Sequence, residues 1–297
     1  MKPVIFGIKG KSLSEEEITF FLKHKPAGFI IFKRNIESKS QLTELCASLT
    51  ALFPEREVLI LIDQEGGRVQ RLTEPHAKKY PAPKEFSDLI DTIGMEAALR
   101  ATYDSNYEMA LELKSCGINV NCTPVADLSF IGANSVIGDR SFGSDPSVVI
   151  AFCEQVIKAH LNAGVEPIIK HIPGHGRALA DSHFALPILD TPLVELEATD
   201  FVPFKELGEK CRFAMTAHIV YNCLDTENTA TLSSVIIDYV RKNIGFKGEI
   251  ITDCITMKAL PGTYAEKAKG SIASGCDYVL HCNGVMEEML EIAESLD

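Results

Sequence analysis

The chain has no basic excess. Its 297 residues carry 29 Lys and Arg against 41 Asp and Glu, a formal net charge of −12. A phosphate backbone would find no counter-charge, which argues against nucleic acid as a partner. Long apolar runs are also missing. The opening MKPVIFGIKGK returns to charge too soon for a secretory signal, and no stretch approaches the roughly 20 apolar residues that span a bilayer. The nine cysteines include no Cys-x-x-Cys pair, so zinc-finger chemistry is not indicated. Their odd number, irregular spacing and apolar settings fit free thiols in a reducing compartment. These features predict a cytoplasmic protein with no membrane association. No linker, low-complexity tract or internal repeat marks a second domain.

What is present is an alternation. Apolar, strand-like runs fall at Val4–Gly7, Gly28–Phe32, Val58–Ile62, Val120–Val125, Glu166–Ile169, Phe213–Thr216, Glu249–Thr252 and Tyr278–Leu280. Helical patterns separate them. Ser14 with Glu17 forms a capping box, and Leu42, Leu45, Leu49 and Leu52 line one face of a helix over 40–52. Further helices are predicted at about 95–115, 146–163, 191–207, 233–243, 263–274 and 285–296. Continuous apolar strands alternating with helices imply a parallel sheet covered by helices. Eight such units predict an α/β fold, a single (β/α)8 TIM-type barrel. A doubly wound dinucleotide fold is disfavoured because no Gly-x-Gly-x-x-Gly follows the first strand.

Polar residues cluster where these strands end. The third exits into Asp63 and QEGGRVQR, the fourth into Asp127, the fifth into Lys170 and His171. The sixth, seventh and eighth exit into His218, Asp253 and Cys282-Asn283. In a parallel barrel these positions share the C-terminal rim, where active sites form. One charged residue after a strand is ordinary solvation; six polar exits on one rim read as a pocket. The densest segment is KHIPGHGRALADSH, Lys170 to His183. Asp181 stands two residues before His183, a carboxylate able to polarise an imidazole for acid/base work. His175 lies in a Gly-His-Gly turn that can simply anchor the loop. His24, His76, His160 and His281 are expected to be structural.

The motifs IDQEGGRVQR, NCTPVADL, IGDRSFGSDP, KHIPGHG with ADSH, AMTAHIVY, ITDCITM and SGCDYVLHCN run in that order along nearly the whole chain. Together they resemble the bacterial cytoplasmic β-N-acetylglucosaminidases of glycoside hydrolase family 3. The resemblance implies one catalytic barrel domain over 1–297, shorter than relatives that continue into a C-terminal helical tail. It implies removal of terminal β-linked N-acetylglucosamine from recycled muropeptides of N-acetylglucosaminyl-anhydromuramyl type, by a monomer without cofactor or metal. Asp253 matches the nucleophile of a retaining mechanism, and His183 with Asp181 the acid/base dyad. Asp63, Arg71, Arg140, Lys170 and His171 match sugar-binding positions. Arg68 is expected in a structural ion pair and Glu65 in support of its loop. Asp127 and His218 are expected behind the contact residues. Cys254 departs from the motif, standing where a second Asp is common.

Alternative readings are a metal-dependent barrel hydrolase built on Lys170, His171, His183, His218 and Asp253, and a non-catalytic sugar-binding protein. Against the first, no His-x-His ends the first strand. Retention of Asp253 and the Asp181–His183 pair counts against the second. A histidine acid/base also leaves phosphorolysis open beside hydrolysis.

Overall fold

The computed structural model describes residues 1–179, 182 and 186–296. Asp181 and His183 lie outside the described residues. Eight parallel strands close into a barrel: β1 (Lys2–Gly7), β2 (Pro26–Ile31), β3 (Leu59–Ile62), β4 (Val120–Asn121), β5 (Glu166–Ile172), β7 (Phe213–Thr216), β9 (Glu249–Cys254) and β10 (Tyr278–His281). A separate parallel pair, β6 (Ile188–Leu189) and β8 (Val220–Tyr221), stands off the rim. β1 hydrogen-bonds to β10 and completes the ring. No described helix is long and apolar enough to cross a membrane.

The eight predicted strands are all present. β4 keeps only two ladder residues, Val120 and Asn121, of the six expected. Pro124 has no N–H to donate, and Val125 retains a lone bridge to Lys170. The predicted helix over 191–207 is two short helices, Leu193–Ala198 and Val202–Leu207. Thr199 leaves helical geometry between them, and Pro203 is tolerated in the first turn of the second. The helix expected over 233–243 runs from Ser234 to Tyr239 and widens into a looser turn at Val240–Ile244. The Ser14–Glu17 capping box forms as the sequence predicts.

Strand periodicity sorts the core. Val4, Phe6, Phe29, Ile31, Ile60 and Ile62 pack outward among the helices. Their neighbours Ile5, Ile30, Leu59 and Leu61 point inward, together with Ile168, Phe213, Met215, Ile251 and Leu280. The barrel interior is therefore a packed apolar plug. Each such side chain contributes about 1.5–3 kcal/mol by leaving water. Counting two residues on from the last inward apolar position, toward the strand C-termini, gives Phe32, Asp63, Lys170, Asp253 and Cys282. All five line one cavity above the plug.

Candidate active site

The cavity holds about 400 Å³, within the roughly 300–1,000 Å³ range of small-molecule sites. One wall is a chain of alternating charges. Arg71 Nη2 donates to Asp63 Oδ2 at 2.9 Å, and Lys170 Nζ lies 3.1 Å from Asp63 Oδ1. The same ammonium sits 2.6 Å from Glu65 Oε1, and Arg140 grips both Glu65 oxygens at 2.8 Å. Burial alone would raise the Asp63 carboxyl, but the Lys170 and Arg71 charges outweigh it and hold it well below its ordinary value. Glu65 is likewise brought down to about 2: burial opposes this, and Arg140 and Lys170 prevail. Lys170 is 2% exposed, yet its two carboxylate partners overcome desolvation and keep it charged.

Local sequence explains how Arg71 returns to Asp63. Gly66 (φ 97°) and Gly67 (φ 57°) take the left-handed turn that reverses the chain after β3. The buried Gln64 side chain accepts from the Arg71 and Leu72 amides and donates to the Leu72 carbonyl. Asn121 holds Gln64 in turn through both of its backbone polar groups, and its amide also donates to His160 Nε2. Burial lowers His160 to about 4, so it stays neutral, with Nδ1–H donating to the Val156 carbonyl. Arg71 also lies against the Phe32 ring, 5.2 Å from its centroid. Its buried Nε has no partner among the described residues.

The opposite wall carries Asp253. Its Oδ1 accepts from the Cys254 amide at 2.7 Å, and no other side-chain hydrogen bond to it is formed among the described residues. Burial pushes this carboxyl up, but His218, His171 and the Cys254 amide bring it below its ordinary value. It is therefore a carboxylate at neutral pH, partly exposed to the cavity. His218 is buried behind it. Its Nε2–H donates to the Cys254 carbonyl and its Nδ1 accepts from the Thr231 hydroxyl. Thr231 bonds Thr216, whose hydroxyl receives the Asp253 amide. The strand end that presents the carboxylate is thus fixed from below.

Between the walls stands His171. A register irregularity in β5 between Lys170 and Ile172 lets both Lys170 and His171 reach the cavity. Asp127, fully buried, takes the His171 Nδ1–H at 2.6 Å and the His171 and His175 amides. That fixes the imidazole, whose Nε2 has no hydrogen-bond partner among the described residues. His175 is 3% exposed and lowered to about 4, first by burial and then by neighbouring His171. The adjacent Gly176 packs so closely that a Cβ there would sit 1.9 Å from the Leu128 carbonyl oxygen. Ser182, the residue between Asp181 and His183, lines the cavity, with Oγ 3.3 Å from His175 Nε2.

The structure thus gathers Asp63, Arg71, Arg140, Lys170, His171 and Asp253 around one cavity. Glu65, expected only to support its loop, joins two of the cations. Arg68 pairs with Asp139 at 2.7 Å and also holds the carbonyls of Ser135, Val136 and Ile137. Phe32 was missed as a lining residue, although its place two residues beyond inward-facing Ile30 signals it.

The family profile described as Glycosyl hydrolase family 3 N terminal domain matches residues 6–297. The chain belongs to glycosyl hydrolase family 3. Among family members, a beta-hexosaminidase of Neisseria meningitidis serogroup A is 38% identical over 284 residues, covering 95% of this chain and 78% of the relative. One from Alkalilimnicola ehrlichii is 35% identical, covering 95% and 80%. Native NagZ from Neisseria gonorrhoeae superposes with a TM-score of 0.92 at 37% identity, covering 100% of this chain and 85% of that one. The same enzyme in complex with N-trifluoroacetyl-D-glucosamine also gives 0.92, at 36% identity. Within family 3, the chain is a glycoside hydrolase of the β-N-acetylhexosaminidase class, with a small carbohydrate as substrate.

Proposed function

We propose that this protein is a retaining, exo-acting glycoside hydrolase that releases terminal β-linked N-acetylglucosamine from muropeptide fragments. Residues 1–297 act as one catalytic barrel domain, a cytoplasmic monomer serving peptidoglycan recycling. The observation that carries this reading is Asp253: an ionised carboxylate, lightly hydrogen-bonded, at the inward end of β9 and facing the Asp63–Lys170–Arg71 wall. A carboxylate so placed can attack an anomeric carbon and form a glycosyl ester. Asp63 can accept from sugar hydroxyls, while Arg71, Arg140, Lys170 and His171 offer donors to hydroxyl and acetamide oxygens. The unpartnered Arg71 Nε supports a polar ligand there.

The acid/base dyad is Asp181 with His183. This rests on the motif and on Ser182, which lines the same cavity. The imidazole protonates the leaving oxygen, then takes a proton from the water that cleaves the ester. Acid help matters most for poor leaving groups. His183→Ala therefore slows a natural disaccharide far more than an activated aryl glycoside; equal slowing of both would assign the proton to another group.

The test of the function is hydrolysis of a chromogenic β-N-acetylglucosaminide beside the matching β-glucoside. A site that hydrogen-bonds the acetamide is left with unpaired polar groups by glucose, so strong preference for the amino sugar is expected. Comparable rates would remove the assigned specificity.

A further inference from the structure

The residue after the nucleophile carries chemistry that glycoside hydrolysis does not use. β9 and β10 pair in parallel, but their register slips by one residue: Tyr278 pairs with Ile251, whereas Leu280 pairs with Cys254. The extra residue on β9 turns Cys254 to the cavity wall beside Asp253. Cys282 is two residues beyond inward-facing Leu280 and reaches the same wall. Both thiols thus belong to one stretch of the cavity wall, and the Thr256 hydroxyl lies 3.1 Å from Cys254 Sγ. Arg34, whose guanidinium donates to the Cys282 carbonyl, carries its charge next to both sulfurs.

The pair is electrostatically ordered. Burial would raise Cys254, yet neighbouring Cys282 and Thr256 bring it below its ordinary value. Cys282 is pushed up by neighbouring Cys254 and by burial. The remaining thiols also move up; burial takes Cys46 and Cys276 to about 12. Cys254 is thus the one thiol brought below its ordinary value, in the same wall as a thiol pushed above it, the ordering of an attacking and a resolving cysteine.

We propose that Cys254 and Cys282 form a redox-active dithiol in the wall of the glycosidase cavity, which hydrogen peroxide converts into a disulfide that shuts the site. The Cys254 thiolate attacks the peroxide O–O bond, giving a sulfenic acid; the departing hydroxide takes a proton and leaves as water. The Cys282 thiol then attacks that sulfur, forming the S–S bond, and the sulfenic hydroxyl leaves with the thiol proton as a second water. Two thiols are oxidised by two electrons, and one peroxide is reduced. Inactivation follows because the Cys254 amide holds Asp253 Oδ1 and the Cys254 carbonyl is held by His218. Drawing Cys254 toward Cys282 moves the carboxylate off its line of attack.

This inference leans on the proposed function only for its activity readout. The experiment treats the full chain with hydrogen peroxide, quenches it, and follows both chromogenic hydrolysis and the disulfide map. Expected is a loss of activity of about tenfold or more, a peptide linking Cys254 to Cys282, and recovery in dithiothreitol. Cys254→Ser, compared with its own untreated rate, forms no such link and escapes the reversible loss. Inactivation without the 254–282 link, the link without inactivation, or reversible loss in Cys254→Ser overturns the proposal. The map needs no substrate. An untreated protein that fails to hydrolyse counts against the hexosaminidase reading, whereas a missing link counts against the dithiol.

Discussion

The two walls of the cavity are built on opposite plans. On one, Arg71, Asp63, Lys170, Glu65 and Arg140 alternate in sign, and each inner charge is held by two neighbours. On the other, Asp253 has a single amide on one oxygen, with the imidazoles of His218 and His171 acting on it at a distance. A buried charge that is fully paired is rigid and poor at titrating. One with a free lone pair is available to bond. The first wall is suited to holding a ligand and the second to reacting with it, so the two should fail differently when mutated.

The largest expected effect is on the reactive wall. Asp253→Ala should lower kcat by about 10⁴-fold or more while leaving the melting temperature nearly unchanged, because the residue is rim rather than plug. A folded variant with near wild-type turnover would contradict the assignment. The paired wall should show the reverse balance. Lys170→Met leaves Asp63 and Glu65 facing each other without their shared cation, and breaking such a buried pair costs about 3–5 kcal/mol. Calorimetry should show a clear fall in Tm along with weaker substrate binding. Unchanged stability would mean that the charge chain is not the framework described here.

The smallest effect separates titration in the two regions. His160 and His175 are both lowered to about 4 by burial, so the unfolded chain binds more protons than the folded one below its ordinary imidazole value of roughly 6.5. Their contribution is fully present above that pH and is lost as pH falls toward 4. The depressed carboxylates Asp63 and Glu65 add a second loss, beginning below about pH 4.5. Tm should therefore fall in two stages on acidification. A flat Tm between pH 6.5 and 4.5 would show that these imidazoles are not buried as neutral groups.

The same contrast explains what was legible in the sequence. The barrel could be read because parallel strands buried on both faces are unbroken apolar runs, and the run from Ile168 to Lys170 or from Ile251 to Asp253 keeps the inward parity. The rim positions of Asp63, Lys170 and Asp253 were legible because each stands where an apolar run ends. The Glu65–Arg140 grip did not, because its partners are 75 residues apart and nothing local ties one loop to the other. The β6–β8 pair also escaped: strands of two residues carry no period. In β4 the apolar run outlasted the ladder because Pro124 interrupts the hydrogen bonding that the run suggested. The interruption at Thr199 lay within a helix-like pattern, where tertiary packing overrode propensity.

The apolar plug beneath the cavity has a further consequence. With Leu61, Ile168, Met215, Ile251 and Leu280 filling the barrel beneath it, the chamber formed by the described residues has a mouth at the rim and a closed floor. Traffic through it is last in, first out. On the proposed function, a sugar seated against Asp63 and Lys170 leaves only after whatever was attached above it has gone. Free sugar still seated there blocks the next arrival, so the released monosaccharide should compete directly with substrate for the same doorway.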